Sequence, residues 1–128
     1  DRFYIKLKAP QTTGNALKVI NFAACSNPSS YYDAIIDGSK VCYIAINAAF
    51  SEPCPSAPTN ISGTGHECSS GGSSTGWLTT TWPIAPGETF DLIFHIHDTA
   101  DESFDSTVVI DNFQWIGEVV QGGTASHN

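Results

Sequence analysis

The carboxylates between residues 98 and 111 are the side chains whose types and spacing best suit chemistry. Four acids fall within eight residues, with no basic residue among them: Asp98, Asp101, Glu102 and Asp105. Because like charges at this spacing repel one another, the carboxylates either face water in a solvated turn or are offset by a bound cation, and their spacing favours the cation. Calcium is a hard cation that takes about six to eight oxygen ligands. We predict a structural calcium site formed by Asp98, Asp101, Asp105, Ser106 and Asp111.

Two histidines precede this acidic segment and form a second candidate metal site. His95 and His97 lie two residues apart, so on a strand both side chains point to the same face. Zinc would need further ligands, which His66 or Asp98 can supply. A metal-dependent hydrolase is the distant alternative that this pair supports. No G-x-S-x-G motif marks a serine nucleophile, and we expect the protein not to be an enzyme.

Four aromatic side chains are candidates for a sugar-binding platform: Trp77, Trp82, Tyr31 and Tyr32. Aromatic rings on carbohydrate-binding β-sandwiches stack against sugars, so a carbohydrate-binding module is the main functional alternative. Large aromatic side chains more often fill a hydrophobic core, however. Exposure of the rings on one surface distinguishes the two interpretations.

The cysteine content points to an oxidising compartment. The chain has four cysteines and no C-x-x-C pair, which favours two disulfides over a metal or redox motif. We expect Cys54–Cys68, which closes a loop rich in proline and glycine, and Cys25–Cys42, which ties a loop to the next hairpin. Four cysteines allow three pairings, and the sequence does not decide among them. The predicted location is extracellular or at the cell surface.

Charge is distributed unevenly and excludes two classes of partner. All five basic residues lie in the first forty positions, and the residues after Lys40 carry ten acids and a formal charge of −10. A chain this acidic is unsuited to nucleic acid or to an anionic membrane surface. No apolar run approaches the roughly 18 residues of a membrane-spanning helix. The expected partners are neighbouring subunits, other domains of a surface protein, or glycans.

The elements that position these residues are predicted to be strands. Residues 90–97 and 107–115 flank the acidic loop, and in the first of these Phe90, Leu92, Phe94 and Ile96 share one face. Asp37-Gly38 is a strong signal for a two-residue hairpin turn. Residues 51–76 lack periodicity and predict a long pinned loop. The other predicted strands are 2–8, 16–24, 31–36, 41–47 and 77–82. Together they predict an all-β antiparallel sandwich over residues 1–118, with residues 119–128 a flexible tail or linker.

Several motifs occur together along the chain and resemble one family. They are CYIAIN, GTGHEC, GSSTGWLTT, PGETF and the segment from IHDT to IDNFQW, within residues 42–47, 63–68, 72–80, 86–90 and 95–115, with residues 1–7 matching the NDRF-like opening. In order and density they resemble the choice-of-anchor L class of domains in large secreted bacterial proteins, notably of myxobacterial type. The resemblance implies extracellular display, a jelly-roll-like β-sandwich and further β-structure upstream of Asp1. It supplies no catalytic residues.

These observations favour a non-catalytic extracellular module that acts in adhesion, matrix or appendage assembly. Strands missing upstream of Asp1 would leave an unpaired sheet edge, and such an edge can be completed by a strand from another subunit. We therefore expect polymerisation by strand addition, with the foreign strand near residues 3–7 or 90–96. The basic amino-terminal part can meet the acidic remainder of the next copy.

Overall fold

The computed structural model describes residues 2–25, 31–44, 52–53, 65, 73–97, 106–118 and 121–126. These residues form antiparallel β-strands and no helix, so the protein is all-β as predicted. Nothing in this part of the chain therefore has the length and hydrophobicity of a membrane-spanning helix. The strands are β1 (Arg2–Lys8), β2 (Lys18–Val19), β3 (Phe22–Ala24), β4 (Ala34–Ile36), β5 (Ser39–Tyr43), β6 (Glu52–Pro53), β7 (Ser73–Ser74), β8 (Leu78–Thr81), β9 (Asp91–His97) and β10 (Gly123–Ser126).

β1 is the central strand of a sheet in the order β2-β1-β9, and it has the bounds that the alternating sequence predicts. It pairs with β9 along its full length and with β2 near its end. Side chains directly opposite each other across an antiparallel ladder share a face. One face therefore carries Phe3, Ile5 and Leu7 beside Ile96, Phe94 and Leu92. The other face carries Arg2, Tyr4, Lys6 and Lys8 beside His97, His95, Ile93 and Asp91.

A buried asparagine replaces strand pairing along one edge of β1. The predicted single strand over residues 16–24 is wrong, because β2 and β3 are separate strands in different sheets. Asn21 lies between them and is 1% exposed. Its Nδ2 donates to the Phe3 carbonyl oxygen (2.9 Å), and its Oδ1 accepts from the Ile5 N–H (2.8 Å). The side chain thus takes the place of a neighbouring backbone while the main chain turns into the next sheet.

The second three-stranded sheet has the order β3-β5-β4, and its hairpin turn is the predicted one. Asp37 and Gly38 have φ of 50° and 81°, the left-handed values that a type I′ turn requires. The predicted disulfide between Cys25 and Cys42 joins the end of β3 to β5, with 5.0 Å between the two Cα atoms. With a sequence separation of 17, this bond is worth about 3 kcal/mol through loop closure.

The predicted long loop over residues 51–76 contains two short strands, one near each of its ends. β6 pairs with β7, so that Glu52 lies opposite Ser74 and Pro53 opposite Ser73. The predicted second disulfide would lie inside this loop, but Cys54 and Cys68 are outside the described residues. The two-residue ladder brings residues 52–53 next to residues 73–74.

The carboxyl-terminal segment is a strand over part of its length, so the prediction of a flexible tail over residues 119–128 is wrong for Gly123–Ser126. This strand, β10, pairs with β8. The Thr80 and Thr124 hydroxyls are hydrogen-bonded across the pair (2.7 Å). A Cβ atom at Gly122 would clash with the Trp82 ring, so the backbone packs directly against that side chain. The prediction failed because the small and polar residues of this segment show no apolar alternation. The segment is held instead by its pairing with β8 and by the close packing of Gly122 against Trp82.

Residues 107–115 do not form the predicted strand. The structure has no strand between Ser106 and Glu118, and much of the segment is exposed. Asn112 has a φ of 61°, and its N–H donates to the Asp111 carboxylate (2.7 Å). A left-handed residue in the middle of the segment interrupts the extended backbone that a continuous ladder needs. The β-branched and aromatic residues on either side therefore remain outside a sheet.

The hydrophobic core lies where β1 approaches the second sheet. The Phe3 N–H donates to the Ile44 carbonyl oxygen (3.2 Å), which joins the two sheets through the backbone. The buried apolar residues come from both sides of this contact: Leu7, Ala9, Ile20, Phe22, Cys25, Val41, Cys42 and Ile44. β9 lies on the far side of β1 from this junction, and its apolar face is left partly uncovered.

Candidate functional site

The predicted calcium ligands fall mostly outside the described residues. Asp98, Asp101 and Asp105 lie outside them, whereas Ser106 and Asp111 lie within. The Asp111 carboxylate is exposed and accepts a hydrogen bond from the next residue's N–H. The described part of the chain contains no group of three or more His, Cys, Asp or Glu side chains placed to hold a metal ion. The calcium site in the acidic segment therefore remains a prediction from sequence.

The two histidines of β9 share one face, as their spacing predicts. Their rings meet edge to face with centroids 5.6 Å apart. The Lys6 ammonium lies 3.3 Å from Nδ1 of His95, and the Tyr4 ring lies 5.7 Å from the His95 ring. No third metal-binding side chain joins the pair within the described ranges, and His66 and Asp98 lie outside them. The nearest charged neighbour is thus a cation, which disfavours a bound metal ion and favours an anion.

The four aromatic residues proposed as a sugar platform lie in different surroundings. Trp82 is half-buried between Phe22, whose ring centroid is 5.8 Å away, and the backbone of residue 122. Lys18 covers the Trp82 ring at 4.7 Å from its centroid. Trp82 therefore packs against its neighbours and does not present an open face for a sugar, while Trp77 is half-buried immediately before β8.

Tyr31 and Tyr32 are exposed, but each already has a polar or charged neighbour. The Tyr31 hydroxyl is hydrogen-bonded to Arg2 and Asp33. The Lys40 ammonium lies 5.0 Å from the centroid of the Tyr32 ring. No ring contact links these tyrosines to Trp82 within the described residues.

Arg2, Tyr31 and Asp33 form a polar cluster that sequence reasoning missed. Arg2 donates to Asp33 through Nη1 (3.0 Å) and to the Tyr31 hydroxyl through Nη2 (2.8 Å). The Asp33 side chain is only 8% exposed, and its second oxygen accepts from the Tyr43 N–H (2.8 Å). The cluster joins the start of β1 to the β4–β5 hairpin. Arg2 lies about thirty positions before Tyr31 and Asp33, with no local motif to link it to them.

Glu88 performs a similar role between two turns. Its carboxylate accepts hydrogen bonds from the Gln11 and Thr12 N–H groups and from the Thr12 hydroxyl. The Thr12 hydroxyl bond and the backbone donors outweigh burial and hold the pKa of Glu88 below its ordinary value. The PGETF motif, which contains Glu88, therefore connects its own turn to the turn that follows β1 through these hydrogen bonds.

The outer edge of β9 is the most unusual surface of the described chain. β1 is occupied on both edges, by β9 on one side and on the other by β2, Ile20, Asn21 and Ile44. β9, by contrast, pairs only with β1 within the described residues. Its face carries exposed apolar side chains, with Phe94 44% and Ile96 46% exposed. Of the two predicted acceptor strands, β9 is therefore the one whose outer edge has no pairing partner in the described part of the chain.

The apolar surface continues from β9 into the described segment 106–118. The Trp115 ring meets Phe90 edge to face at 5.7 Å and Phe113 at 5.4 Å. Phe113 and Trp115 are 64% and 74% exposed. Exposed aromatic side chains that form a continuous patch commonly mark an interaction surface.

An open groove of about 420 Å³ lies between β2 and β4. Its apolar and aromatic lining includes Val19, Ile35, Ile36 and Tyr43, and its charged residues are Lys18 and Asp37. The groove is open to solvent, and its lining exposes more polar than apolar surface, unlike the enclosed apolar clefts that small-molecule sites commonly form.

Comparison with known proteins identifies no relative from which a function can be taken. No family model matches the chain, no curated protein matches it, and no solved structure matches it. The functional conclusion therefore depends on these surfaces and on the motifs that resemble the choice-of-anchor L class.

Proposed function

We propose that this chain is a non-catalytic extracellular surface module that acts in adhesion, matrix or appendage assembly, with β9 as an acceptor for a strand from a neighbouring subunit or domain. The observation that carries this proposal is that β9 pairs only with β1 within the described ranges, beside an exposed apolar face. An unpaired row of backbone donors and acceptors beside apolar side chains is the surface that strand addition uses.

The composition of β9 supports this role. Proteins protect exposed edge strands with lysine, proline, bulges or very short strands. β9 has seven residues, DLIFHIH, and contains neither lysine nor proline. Its ladder with β1 has no bulge. The strand thus lacks the usual features that prevent pairing with another chain.

Charge can orient such an assembly. The five basic residues belong to the first forty positions, whereas the charged residues of the later part of the chain are all acidic. When one copy meets the next, unlike regions attract one another and like regions repel. This electrostatic term favours a head-to-tail arrangement, which can propagate if donor and acceptor surfaces differ.

The finer description of the fold belongs to the same proposal. The resemblance to choice-of-anchor L domains implies a jelly-roll-like sandwich, a place among other domains of a surface protein, and secretion. The Cys25–Cys42 disulfide is compatible with an extracellular location. We propose Cys54–Cys68 as the second disulfide, which would pin the loop whose ends β6 and β7 bring together.

Assembly is tested by placing a charge on the open edge. We expect the protein to form larger species as its concentration rises, and Ile96→Lys to keep it monomeric because a charge on the apolar face opposes docking. Sedimentation velocity measures this. Leu17→Lys is the matched control, since Leu17 is exposed to a similar degree (56%) but lies outside β9. A parent protein that sediments as a monomer throughout, or equal effects of both variants, would contradict the proposal.

The cation that we propose is calcium, bound by Asp98, Asp101 and Asp105 with Ser106 and Asp111. Calcium bound only to the folded state raises stability, so the thermal midpoint should increase with calcium and fall with a chelator. Asp101→Asn should remove that difference. The control is Asp37→Asn, which changes an acid in the β4–β5 turn. If chelator and calcium leave the parent's midpoint unchanged, there is no such site.

Carbohydrate binding is the second candidate function, and the exposed rings of Tyr31 and Tyr32 favour it. The packing of Trp82 against Phe22 removes that residue from the expected platform. A metal-dependent hydrolase has no support from the described residues, because His95 has a lysine rather than a third ligand beside it.

A further inference from the structure

Residues 107–111 have the composition of a strand but lie outside every sheet. Their sequence, TVVID, has four β-branched residues in succession, the type that is enriched in strands. All five residues are described, and none of them belongs to a strand. Val109 and Ile110 are 42% and 54% exposed. A strand-forming segment is therefore presented at the surface.

The backbone of this segment is compatible with an extended conformation. No residue from 107 to 111 has a positive φ, and the left-handed residue is the next one, Asn112. Five extended residues span about 17 Å. The seven residues of β9 are long enough to pair with all of them.

The contact of this part of the chain with the region of β9 comes after Asn112. The Trp115 ring packs on Phe90, which immediately precedes β9. β9 itself forms a ladder with β1 and with no other strand of the described chain. The left-handed turn at Asn112 separates residues 107–111 from Trp115, so they can pair with another molecule while the Trp115 contact is kept.

The alternation of the segment matches the two faces of β9. In extended form Val108 and Ile110 share one face, and Asp111 lies on the other. Placed along the outer edge of β9, Val108 and Ile110 cover the exposed apolar face, and Asp111 joins the polar face. The ladder places these charged residues on the polar face: Arg2, Lys6 and Lys8 of β1 and Asp91 of β9. A shift by one residue would instead bury the Asp111 charge among apolar side chains, which is unfavourable.

We propose that the strand added to the outer edge of β9 is the segment 107–111 of a second copy of this chain. This inference rests on the proposed strand addition and names its donor. Each copy carries one donor segment and one acceptor edge, so the interface is heterologous and growth can continue at both ends. Pairing satisfies backbone groups of both segments and removes apolar side chains from water.

The test is complementation between two variants, measured by sedimentation velocity. Ile96→Lys blocks the acceptor and Ile110→Lys blocks the donor, because each places a charge where apolar side chains meet. Each variant alone should keep the monomer mass at concentrations where the parent forms larger species. An equimolar mixture should form a species of twice the monomer mass and nothing larger, since it retains one working donor and one working acceptor.

Ile35→Lys is the matched control for the donor variant. Ile35 is 58% exposed and lies in β4, away from both segments, so this variant should assemble like the parent. Thermal midpoints equal to that of the parent establish that each variant is folded. If Ile110→Lys lowers the midpoint, Val109→Pro takes its place, because it removes a backbone donor from the segment.

The outcomes separate this inference from the proposed function. If Ile96→Lys stays monomeric but Ile110→Lys grows like the parent, β9 is an acceptor whose donor lies elsewhere, and the inference alone is wrong. It is also wrong if both variants are monomeric and their mixture yields no dimer, because the two positions then do not meet across one interface. A parent that remains monomeric at every concentration contradicts both, as expected if residues 107–111 pair with β9 of their own molecule.

Discussion

Replacing Asn21 with alanine is expected to lower the free energy of unfolding by about 2–5 kcal/mol. The Asn21 side chain is buried and satisfies two backbone groups of β1, the Phe3 carbonyl and the Ile5 N–H. Alanine removes both partners at once and admits no polar replacement. Each buried group left without a hydrogen bond costs about 1–3 kcal/mol, which is a large part of the stability of a small domain.

Asn21→Asp separates the two hydrogen bonds. The carboxylate can still accept from Ile5, but it cannot donate to the Phe3 carbonyl and it places a charge in a buried position. We expect a loss at least as large as that of the alanine variant near neutral pH. Urea unfolding monitored by fluorescence measures both effects, with Asn112→Gly as control because Asn112 is exposed and has a positive φ. If Asn21→Ala stays within about 0.5 kcal/mol of the parent, the bridging role is wrong.

The parts of the fold that local sequence determines were predicted well. Apolar and polar side chains alternate along Arg2–Lys8, and this period places each side chain on a definite face whatever the partner strand. The Asp37-Gly38 turn was predictable for a similar reason, since few residues tolerate two successive positive φ angles. Both features follow from the backbone preferences of neighbouring residues.

The features that were mispredicted depend on contacts between distant residues. The mostly apolar residues 16–24 suit one strand. The buried Asn21 side chain, however, is hydrogen-bonded to the backbone of β1, and nothing in the local sequence pattern indicates that contact. The strand Gly123–Ser126 has little intrinsic β-propensity and depends on pairing with β8 and on packing of residue 122 against Trp82. Propensity alone does not identify such contacts.

The candidate sites show the same division. The pairing of His95 with His97 on one face follows from their spacing, and it was predicted. Lys6, whose ammonium contacts His95, is eighty-nine positions away in sequence, so its contribution could be recognised only from the ladder register. The calcium ligands Asp98, Asp101 and Asp105 lie outside the described residues, and their convergence remains a prediction.

Asp33 offers the second large effect on stability. Its nearly buried carboxylate accepts hydrogen bonds from Arg2, Tyr31 and the Tyr43 backbone, and these bonds connect β1 to the β4–β5 hairpin. Asp33→Asn keeps the size of the side chain but removes the negative charge beside Arg2. We expect a loss of about 2–4 kcal/mol near neutral pH, because hydrogen bonds to charged groups contribute about 1.5–3 kcal/mol each and some are retained by the amide.

The pH dependence of this variant distinguishes lost charge from altered packing. Burial raises the pKa of Asp33, but the Tyr31 hydrogen bond, the Tyr43 N–H and Arg2 together outweigh burial and hold it below its ordinary value. A carboxyl with a lowered pKa in the folded state stabilises the protein fully above the pKa of the unfolded chain, about 3.9 for aspartate, and loses this contribution as pH falls through the folded value. The stability difference between the parent and Asp33→Asn should therefore be constant from neutral pH down to about pH 5 and shrink below about pH 4.

Denaturant unfolding at a series of pH values measures this difference, with Asp37→Asn in the exposed turn as the control. A difference that persists unchanged into acid would mean that shape, and not charge, makes Asp33 important, because a protonated carboxyl and an amide are both neutral beside Arg2.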